Sequence, residues 1–419
     1  MHSKFEDQSA AEPVGFGGVA TRADRKRRRM LYLTTFNPTV ASTGTTTRGK
    51  LFLRYFCEHY DVHLVHMDDP DNGVEDEELI ASLASKSRIA FSKWHYFIYS
   101  AELLRTADEL LKKHAVDFIF ADFDKSGMYA HILSKRHGVP YFYNSHNIEH
   151  QRYVSVANSD WRRYALVPYV YLTERIACRN AAFTIAITEP DAEVLRRWAP
   201  PSSVVAYPSA FDESVFNPFH APDRTADTQR PVVLMVGNFN NPANRDGALR
   251  MLEVVIPEVV SRRPDVLFRF VGIGFPEHIS HPNVESVGFV ENLVDEYPQV
   301  TAIVVPIESG GGIKIKAVEG LAVGKFLVST PKGMEGIDYS SYDMVRVGPL
   351  EDFPGYIVEA LDHPAPRTTA NWDKVRRELG CQSNLRKIRE RIERLLSSGA
   401  LASAHMISGG MTYLCVSLI

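Results

Sequence analysis

The stretch TAIVVPIESGGGIKIKAVEGLAVGKFLVST, residues 301–330, places two short apolar runs on either side of a helix-length segment. The runs TAIVVP (301–306) and FLVST (326–330) have the composition of buried strands, and the segment between them is predicted to be helical from about residue 313. A strand, a helix and a second strand in this order form the unit of a parallel sheet with covered faces. The stretch therefore predicts an α/β fold.

The same alternation of apolar runs and amphipathic segments extends over most of the chain. Between the runs lie stretches such as RGKLFLRYFCEHY (48–60), whose apolar residues recur three and four positions apart, as on a buried helix face. Residues 207–231, rich in Pro, Asp and Thr, interrupt the pattern, which restarts at residue 232. The predicted strands are 30–36, 62–66, 116–121, 139–144, 182–187, 232–237, 267–272, 284–289, 301–306 and 326–330.

These patterns predict two doubly wound, Rossmann-like domains. We assign residues 30–207 to the first domain, 208–231 to a linker and 232–380 to the second, with a disordered basic arm at 1–29 and a C-terminal helix and tail at 381–419. A chain of 419 residues is too long for one ordinary hydrophobic core, which agrees with two domains. Because open α/β sheets bind ligands beyond the carboxyl ends of their strands, we expect the site in a cleft between the domains.

Composition and charge argue against several classes of protein. The net charge of −4 gives no general attraction to nucleic acid, and no run of about 18 apolar residues is present to span a bilayer. The four cysteines are scattered without a CxxC pair, which fits neither a zinc site nor a disulfide framework. Six of the eight residues in RADRKRRR (22–29) are basic, which fits either a solvated flank or a contact with an anionic membrane surface.

The glycines of the opening stretch have two interpretations. Gly310, Gly311 and Gly312 lie between a strand and a helix start, where bare backbone and the helix dipole favour an anion such as a phosphate. Spacings of four and three residues place Gly312, Lys316 and Glu319 on one helix face, and Lys314 points elsewhere. A lysine and a carboxylate three apart also form ordinary surface pairs, and the spacing alone fits both interpretations.

The residues 301–337 closely resemble the donor-binding segment of family 4 retaining glycosyltransferases with the GT-B fold, in the triple-glycine subgroup of that family. The match runs through the triple glycine, the basic pair, and Glu319 followed by GLAVGKFLVST. Six further segments resemble the family in the expected order and spacing. These are YNSHNIEHQRY (143–153), TERIACRNAAFTIAITEPDAEVL (173–195), YPSAFDESVFNP (207–218), VVLMVGNFNNPANRDGALRML (232–252), RFVGIG (269–274) and VGFVENLVDEY (287–297).

The resemblance implies a GT-B fold, an acceptor-binding first domain and a second domain that binds a nucleotide sugar as co-substrate, without a cofactor or a metal. His146, Lys316 and Glu319 are implied as catalytic residues: Lys316 at the diphosphate, Glu319 at the ribose and His146 at the donor sugar. Arg48 is implied weakly at the acceptor, with an ordinary loop position as the alternative. The implied nucleotide-sugar residues are Gly44, Gly237, Asn238, Asn244, Gly310, Gly311, Gly312 and Lys314.

The chain departs from the family pattern at three places. The family's two-glutamate motif places a first carboxylate eight residues before Glu319, where this chain has Gly311, and Glu308 is the nearest upstream carboxylate. The Pro-Asn-Gly element is replaced by residues 208–210, Pro-Ser-Ala. Where an arginine often follows the first strand of the second domain, the chain has Gly237 and Asn238. These differences concern the identity of the donor more than the class of reaction.

The resulting hypothesis is a retaining glycosyltransferase that moves a hexose from a nucleotide-diphosphate donor to a glycan or lipid-linked acceptor in polysaccharide or glycoconjugate assembly. We expect it in the cytoplasm, with a peripheral contact at the inner face of the membrane as an extension. The alternative is an inactive GT-B-like protein that binds a glycan or acts as a scaffold. A dehydrogenase is disfavoured because VGIGFPEH (271–278) lacks the third glycine of GxGxxG and does not begin a domain.

Overall fold

The computed structural model contains two parallel sheets, each covered by helices on both faces. The described residues are 27–40, 44–68, 74–90, 99–123, 125–156, 161–208, 213, 230–276, 281–290, 293–310, 312–364 and 369–398. The predicted arm at 1–29, apart from its last three residues, and nearly all of the predicted linker lie outside these ranges, as do residues 399–419.

The first sheet has seven strands in the order β3-β2-β1-β4-β5-β6-β7. All its strand pairs are parallel. The order reverses direction between β1 and β4, and such a switch point is where doubly wound sheets form their ligand crevice. The strands are β1 (Arg29–Thr34), β2 (Asp61–Met67), β3 (Ser85–Ile89), β4 (Phe118–Asp122), β5 (Tyr141–Asn144), β6 (Phe183–Ala186) and β7 (Val204–Ala206).

The second sheet has six strands in the order β10-β9-β8-β11-β12-β13 and is also parallel throughout. Its switch point lies between β8 and β11. The strands are β8 (Val232–Val236), β9 (Leu267–Val271), β10 (Val284–Gly288), β11 (Ala302–Val305), β12 (Phe326–Ser329) and β13 (Val345–Val347).

The helices fill the connections between parallel strands. Those of the first half are α1 (Gly44–His59), α2 (Glu77–Ala81), α3 (Ala101–Lys113), α4 (Ser126–His137), α5 (Glu149–Val156), α6 (Trp161–Asn180) and α7 (Glu189–Leu195). Those of the second half are α8 (Pro242–Arg250), α9 (Ile256–Arg262), α10 (Ile315–Val323), α11 (Phe353–Asp362), α12 (Thr369–Leu379) and α13 (Cys381–Ser397). A π-helical turn at Met251–Val255 joins α8 to α9, so the three form one continuous helix.

The α/β prediction is confirmed, and all ten predicted strands are present within one or two residues. Three observed strands, β3, β7 and β13, were not predicted. All three lie at sheet edges, and β3 (SKSRI) and β13 (VRV) carry basic residues. An edge strand has one neighbour instead of two and is less completely buried, so its sequence does not need the continuous apolar run by which inner strands are recognised.

The C-terminal helix returns to the first sheet. Leu385, Ile388 and Ile392 of α13 are fully buried and belong to the same core as Phe118 and Phe142 of the first sheet. The last described helix therefore completes the core of the first domain. Among the described residues, no helix combines the length and the hydropathy needed to cross a membrane.

Candidate functional site

A chain of side-chain contacts lies at the carboxyl edge of the second sheet, where β8 ends. Lys316 Nζ of α10 donates a hydrogen bond of 2.6 Å to Asn244 Oδ1 of α8. Asn244 Nδ2 in turn donates to the backbone carbonyl of Asn238 at 2.9 Å. Asn241 caps α8 by accepting from the backbone N–H of Ala243, which fixes the first turn that carries Asn244. The structure therefore brings Asn238, Asn244 and Lys316 together beside the switch point.

Glycines keep the backbone bare around this lysine. A Cβ atom added to Gly237 would lie 3.0 Å from Lys316 Nζ and 3.0 Å from Asn244 Cγ. Gly272 follows β9 with φ of 137°, and a Cβ there would lie 1.8 Å from the carbonyl oxygen of Gly237. Both positions therefore require glycine for packing: a side chain at Gly237 would displace Lys316 or Asn244, and one at Gly272 would collide with the backbone of Gly237.

Burial changes the pKa of the Lys316 ammonium group. Burial lowers its pKa to about 8, an effect that the carboxylate of Glu319 opposes and the neighbouring Lys314 reinforces. An ammonium group with few compensating charges is electrostatically ready to accept an anionic partner, because a dianion would replace the hydration that burial removed.

Glu319 lies one turn further along α10 and is held by a tyrosine. Tyr297 is fully buried, and its hydroxyl donates to Glu319 Oε2 at 2.5 Å. Burial raises the pKa of Glu319, while the bond from Tyr297 and the charge of Lys316 lower it. One carboxylate oxygen is therefore fixed by the protein, and the orientation of the other is set with it.

The glycine segment before α10 differs from the prediction in one respect. The helix begins at Ile315 instead of near residue 313, so Gly312 precedes the helix and does not share a helical face with Lys316 and Glu319. Gly310 and Gly312 have φ values of 87° and 74°, in the left-handed region that favours glycine. Gly311 lies outside the described residues. The exposed Glu308 stands just before this turn.

Lys314 points away from Lys316, as its position in the sequence predicts. Its Nζ donates to the carbonyl oxygen of Gly312 at 2.6 Å and lies 3.7 Å from Glu335 Oε2. Burial lowers the pKa of Lys314, and the carboxylate of Glu335 opposes that shift. This lysine therefore braces the glycine turn by bonds within the protein.

A second polar cluster lies at the switch point of the first sheet. Thr34, Asp122 and Asn144 end β1, β4 and β5 and stand in register with one another. The buried carboxylate of Asp122 accepts from Tyr32 Oη at 2.6 Å and from Asn144 Nδ2 at 2.7 Å, and its Oδ1 lies 2.8 Å from His146 Nε2. Burial alone would raise the pKa of Asp122, but His146 and these hydrogen-bond donors lower it overall.

His146 lies deeper than the sequence suggests. Its side chain is only 3% exposed, and its ring packs edge-on against Phe123 and tilted against Phe36. Phe123, directly after Asp122, has φ of 79°, a strained conformation for a residue other than glycine. In this state the imidazole is an interior group that Asp122 orients, not a group open to a wide cleft.

Arg48 also turns inward. The predicted loop ends earlier than expected, because α1 already begins at Gly44, and Arg48 lies in the second turn of that helix. Its guanidinium stands 4.8 Å from the centre of the Phe52 ring, and Nη2 donates to Asn144 Oδ1 at 3.3 Å. Arg48 and His146 thus meet through Asn144 and Asp122. The side-chain surroundings of Gly44 lie outside what the structure describes.

The two domains meet beside the glycine turn. A Cβ added to Gly336 of the second domain would lie 2.9 Å from Thr188 Cγ2 of the first domain and 3.2 Å from Ile313 Cγ1. Thr188 is the N-cap of α7, and Ile313 lies three residues before Lys316. The segment that carries Lys316 therefore starts at the contact between the domains.

The sequence did not single out several residues of these clusters, among them Asp122, Asn144 and Tyr297. Asp122 and Asn144 are polar residues at the carboxyl ends of apolar strands, which is the usual position of a site in a parallel sheet. Tyr297 carried no such signal, because its contact with Glu319 joins two elements 22 residues apart.

Two family models match the chain, one in each domain. Residues 57–209 match the model described as "Glycosyl transferase 4-like domain". Residues 230–363 match the model described as "Glycosyl transferases group 1". The boundary between the two matches falls in the segment that connects the two sheets.

Solved structures of the same architecture cover most of the chain. The structure of Anabaena Alr3699/HepE in complex with UDP matches with a TM-score of 0.64 and 14% identity, over 87% of this chain and 99% of that one. Sucrose-phosphate synthase from Thermosynechococcus elongatus matches with a TM-score of 0.60 and 17% identity, over 88% and 99% of the two chains. At these identities the likeness establishes the fold.

One curated relative shares part of the sequence. A Klebsiella pneumoniae protein named "Uncharacterized 44.6 kDa protein in cps region" is 26% identical over 213 residues. The match covers 46% of this chain and 51% of that protein, so the chain spans about half the length of the curated relative.

Proposed function

The chain carries the two domains of a GT-B glycosyltransferase, and we propose that it is a retaining enzyme that moves a sugar from a nucleotide-diphosphate donor to a glycan or lipid-linked acceptor. The observation that carries the proposal is the position of Lys316, whose ammonium group lies beside Gly237 and Asn244 at the carboxyl edge of β8. The retaining course and the triple-glycine subgroup are supported by the motif resemblance described above.

The proposed diphosphate site uses the charge of Lys316 and the bare backbone around it. When the sugar leaves, negative charge accumulates on the diphosphate, and a preorganised ammonium group stabilises that charge more strongly in a water-poor site than in bulk water. Gly237 has no side chain that would displace Lys316 Nζ from this position. We propose that the glycine segment 310–312 adds backbone N–H donors before the helix, whose dipole favours the same charge.

The proposed nucleoside site lies one turn along α10. Tyr297 holds one oxygen of Glu319, and a carboxylate oriented in this way accepts hydrogen bonds from the two hydroxyls of a ribose. We propose uridine as the base, because the similar HepE structures contain UDP and UDP-glucose. The proposed nucleoside and diphosphate residues, apart from Gly44, then belong to the second domain.

The proposed acceptor side is the cluster around Asp122 in the first domain. His146 and Arg48 are the basic residues of this cluster, and both are oriented through Asp122 and Asn144. We propose that His146 contacts the transferred sugar when the domains close on a donor, and that Arg48, which bonds to Asn144, contacts the acceptor or an anionic group.

The reaction that we propose exchanges one bond at the anomeric carbon. The bond from this carbon to the diphosphate oxygen breaks, the acceptor hydroxyl oxygen bonds to the same face, and its proton passes to the departing phosphate. The chemistry requires charge stabilisation and positioning and no protein nucleophile. Catalysis without a metal stays a prediction, for which a lysine and a helix dipole supply the positive charge.

We propose a role in polysaccharide or glycoconjugate assembly on the cytoplasmic side of a membrane. The name of the Klebsiella relative, which places it in a cps region, supports this setting. A catalytically inactive glycan-binding protein is the competing function.

The substitution Lys316→Ala tests the proposed enzyme. After thermal-shift screening against UDP-, GDP- and ADP-sugars, release of nucleotide diphosphate from the stabilising donor is measured with and without acceptor. We expect Lys316→Ala to lower turnover by about 10²-fold or more, because one donor to the developing charge is removed. The far-ultraviolet circular dichroism and the melting temperature should stay close to those of the parent.

Lys314→Ala is the matched control. Lys314 already bonds to Gly312 and Glu335, so its loss should cost much less turnover than the loss of Lys316. Undiminished turnover of the folded Lys316→Ala protein would refute the assigned role. Failure of the parent to release nucleotide from any donor, combined with saturable binding of a glycan, would favour the scaffold. The anomeric configuration of the product, read by NMR, decides whether the enzyme retains.

A further inference from the structure

The helix α6 exposes apolar side chains to solvent in an ordered stripe. Tyr164 and Leu172 are each 46% exposed and Tyr171 is 36% exposed, and the exposed Pro168 lies between them. Spacings of three, four and seven residues place these side chains on one side of the helix. The opposite side, which includes Val170 and Ala177, is buried in the first domain. An apolar outer stripe is unusual for a surface helix, whose solvent side is normally polar.

The same stripe continues as a basic surface. Arg175 and Arg179 are exposed and follow Leu172 at helical spacing, so they extend the row toward the C-terminus of α6. The carboxylates of α5 and α6 belong to Glu149 and Glu174, and each of these residues is only 1% exposed. Within the described parts of these two helices, the outer surface therefore offers positive charge and no exposed carboxylate.

We propose that this stripe, from Tyr164 to Arg179, lies on the surface of an anionic lipid bilayer; we call it the α6 outer face. Tyrosine and leucine side chains enter the headgroup region of a bilayer, and arginines bind lipid phosphates. The stripe is about 22 Å long at 1.5 Å per residue, which suits a helix that lies along the interface. A second copy of the chain, docked through the same face, would place its arginines or tyrosines against these arginines. The described part of this face has no exposed carboxylate that could pair with them.

The described end of the N-terminal arm is a poorer candidate for this contact. Arg28 Nε lies 3.1 Å from Glu393 Oε2 of α13, and Arg27 donates to the backbone carbonyl oxygens of Cys57 and Glu58. These bonds tie the two arginines to the protein itself. The α6 outer face, by contrast, presents both apolar and basic side chains to solvent.

Helix α6 is linked by short contacts to the segment that follows His146. Glu174 accepts from the backbone N–H of Glu149 at 2.9 Å and lies 2.8 Å from His150 Nδ1. Glu149 and His150 follow His146 closely in the sequence. A chain bound through α6 would hold this segment near the bilayer, where lipid-linked acceptors lie. That consequence rests on the proposed function, whereas binding to the bilayer does not.

Sedimentation with vesicles tests the inference without donor or acceptor. The full-length chain is mixed with phosphatidylcholine vesicles with and without phosphatidylglycerol, and the bound fraction is measured. We expect binding only to the anionic vesicles, with loss at high salt. Arg175→Glu and Arg179→Glu should each weaken binding by about fivefold or more. Leu172→Ser should weaken vesicle binding at both low and high phosphatidylglycerol content, because the substitution removes apolar contact.

Three controls use comparable positions elsewhere. Arg262→Glu and Val254→Ser change exposed residues of the second domain and should bind as the parent does. A full-length variant with Arg25→Ser and Lys26→Ser isolates the arm. The inference is overturned if anionic vesicles do not bind the parent, if only the arm variant loses binding, or if light scattering shows a dimer that Leu172→Ser dissociates. The α6 variants should show the same thermal shifts with nucleotide sugars as the parent. A loss of vesicle binding then reports on the α6 outer face and not on the proposed activity.

Discussion

Lys316 shows how burial prepares a single group for its partner. Its pKa is lowered to about 8 by burial, so the free protein carries the ammonium charge below that pH and loses it above. A bound diphosphate favours the charged form and raises the pKa again. The pH dependence of donor use therefore reports this residue.

We expect kcat/KM for the donor to fall by about tenfold for each pH unit above about 8, because kcat/KM follows the protonation state of the free enzyme. Lys316→Arg should abolish this fall in whatever activity remains, since a guanidinium keeps its charge. Lys314→Arg should preserve the fall. An unchanged profile in Lys316→Arg would assign the titration to another group.

Asp122 is the residue through which the first cluster is positioned. Its carboxylate binds Tyr32, Asn144 and His146 at once, and replacement by asparagine would turn amide hydrogens toward groups that donate. We expect Asp122→Asn to lower kcat through His146 and to cost about 1–3 kcal/mol of folding free energy. Tyr32→Phe removes one donor and keeps the pair with His146, so kcat should change less.

The Asp122 prediction is checked by kcat, KM and urea unfolding of both variants. A loss of stability with unchanged kcat and KM in Asp122→Asn would show that the cluster is structural only. Equal losses of kcat in both variants would show that the position of His146 does not depend on its pairing with Asp122.

The elements that carry the site are fixed by local sequence rules and by a few glycines. The strand predictions succeeded for the inner strands, whose two neighbours demand continuous apolar runs, and for the edge strand β10, and failed for the edge strands β3, β7 and β13. The start of α10 shifted by two residues, since the glycine turn extends to Lys314 before helical geometry begins. Helix termini depend on such local competition and are less well determined than helix interiors.

Gly272 is predicted to be indispensable to the packing of β8 against β9. A methyl group at φ of 137° would meet the carbonyl oxygen of Gly237 at 1.8 Å, so the backbone beside Lys316 would have to move. We expect Gly272→Ala to destabilise the protein by more than about 2 kcal/mol and to weaken donor binding. Urea unfolding and a donor titration measure the two effects.

Gly355 supplies a control of opposite sign. It lies in α11 with nothing within 4 Å of an added Cβ, and alanine should stabilise the helix by about 0.5–1 kcal/mol. Gly355→Ala should not affect donor binding. If Gly272→Ala were as harmless as Gly355→Ala, the close contact with Gly237 would have no role in the site.

The last described helix, α13, packs against the first domain. α13 follows the second domain in sequence, yet Ile388 is fully buried among aromatic residues of the first sheet. The contact at Thr188, Ile313 and Gly336 adds a second link between the domains, next to the proposed donor site. The stability of the first domain therefore depends on residues nearly 400 positions into the chain.

We expect Ile388→Ala to cost about 2–5 kcal/mol of folding free energy, as large-to-small changes in cores do. Hydrogen exchange should show faster opening of β1 and β4 in the first sheet and little change in β11 and β12. Leu396→Ala, at a half-buried position of the same helix, should cost less. Faster exchange confined to the second sheet would mean that α13 supports the other domain.

The sequence by itself determined the α/β class, the inner strands, the segments that resemble the glycosyltransferase family, and the spacing of Lys316 and Glu319 on one helix. These features are local, because strand and helix periodicities and turn chemistry act between residues a few positions apart. Only the tertiary structure decided that Asp122 holds His146, that Tyr297 holds Glu319, that Arg48 turns inward, and that α13 completes the first core. These contacts join residues from 22 to more than 250 positions apart, and their partners are chosen by packing, which no local pattern in the chain records.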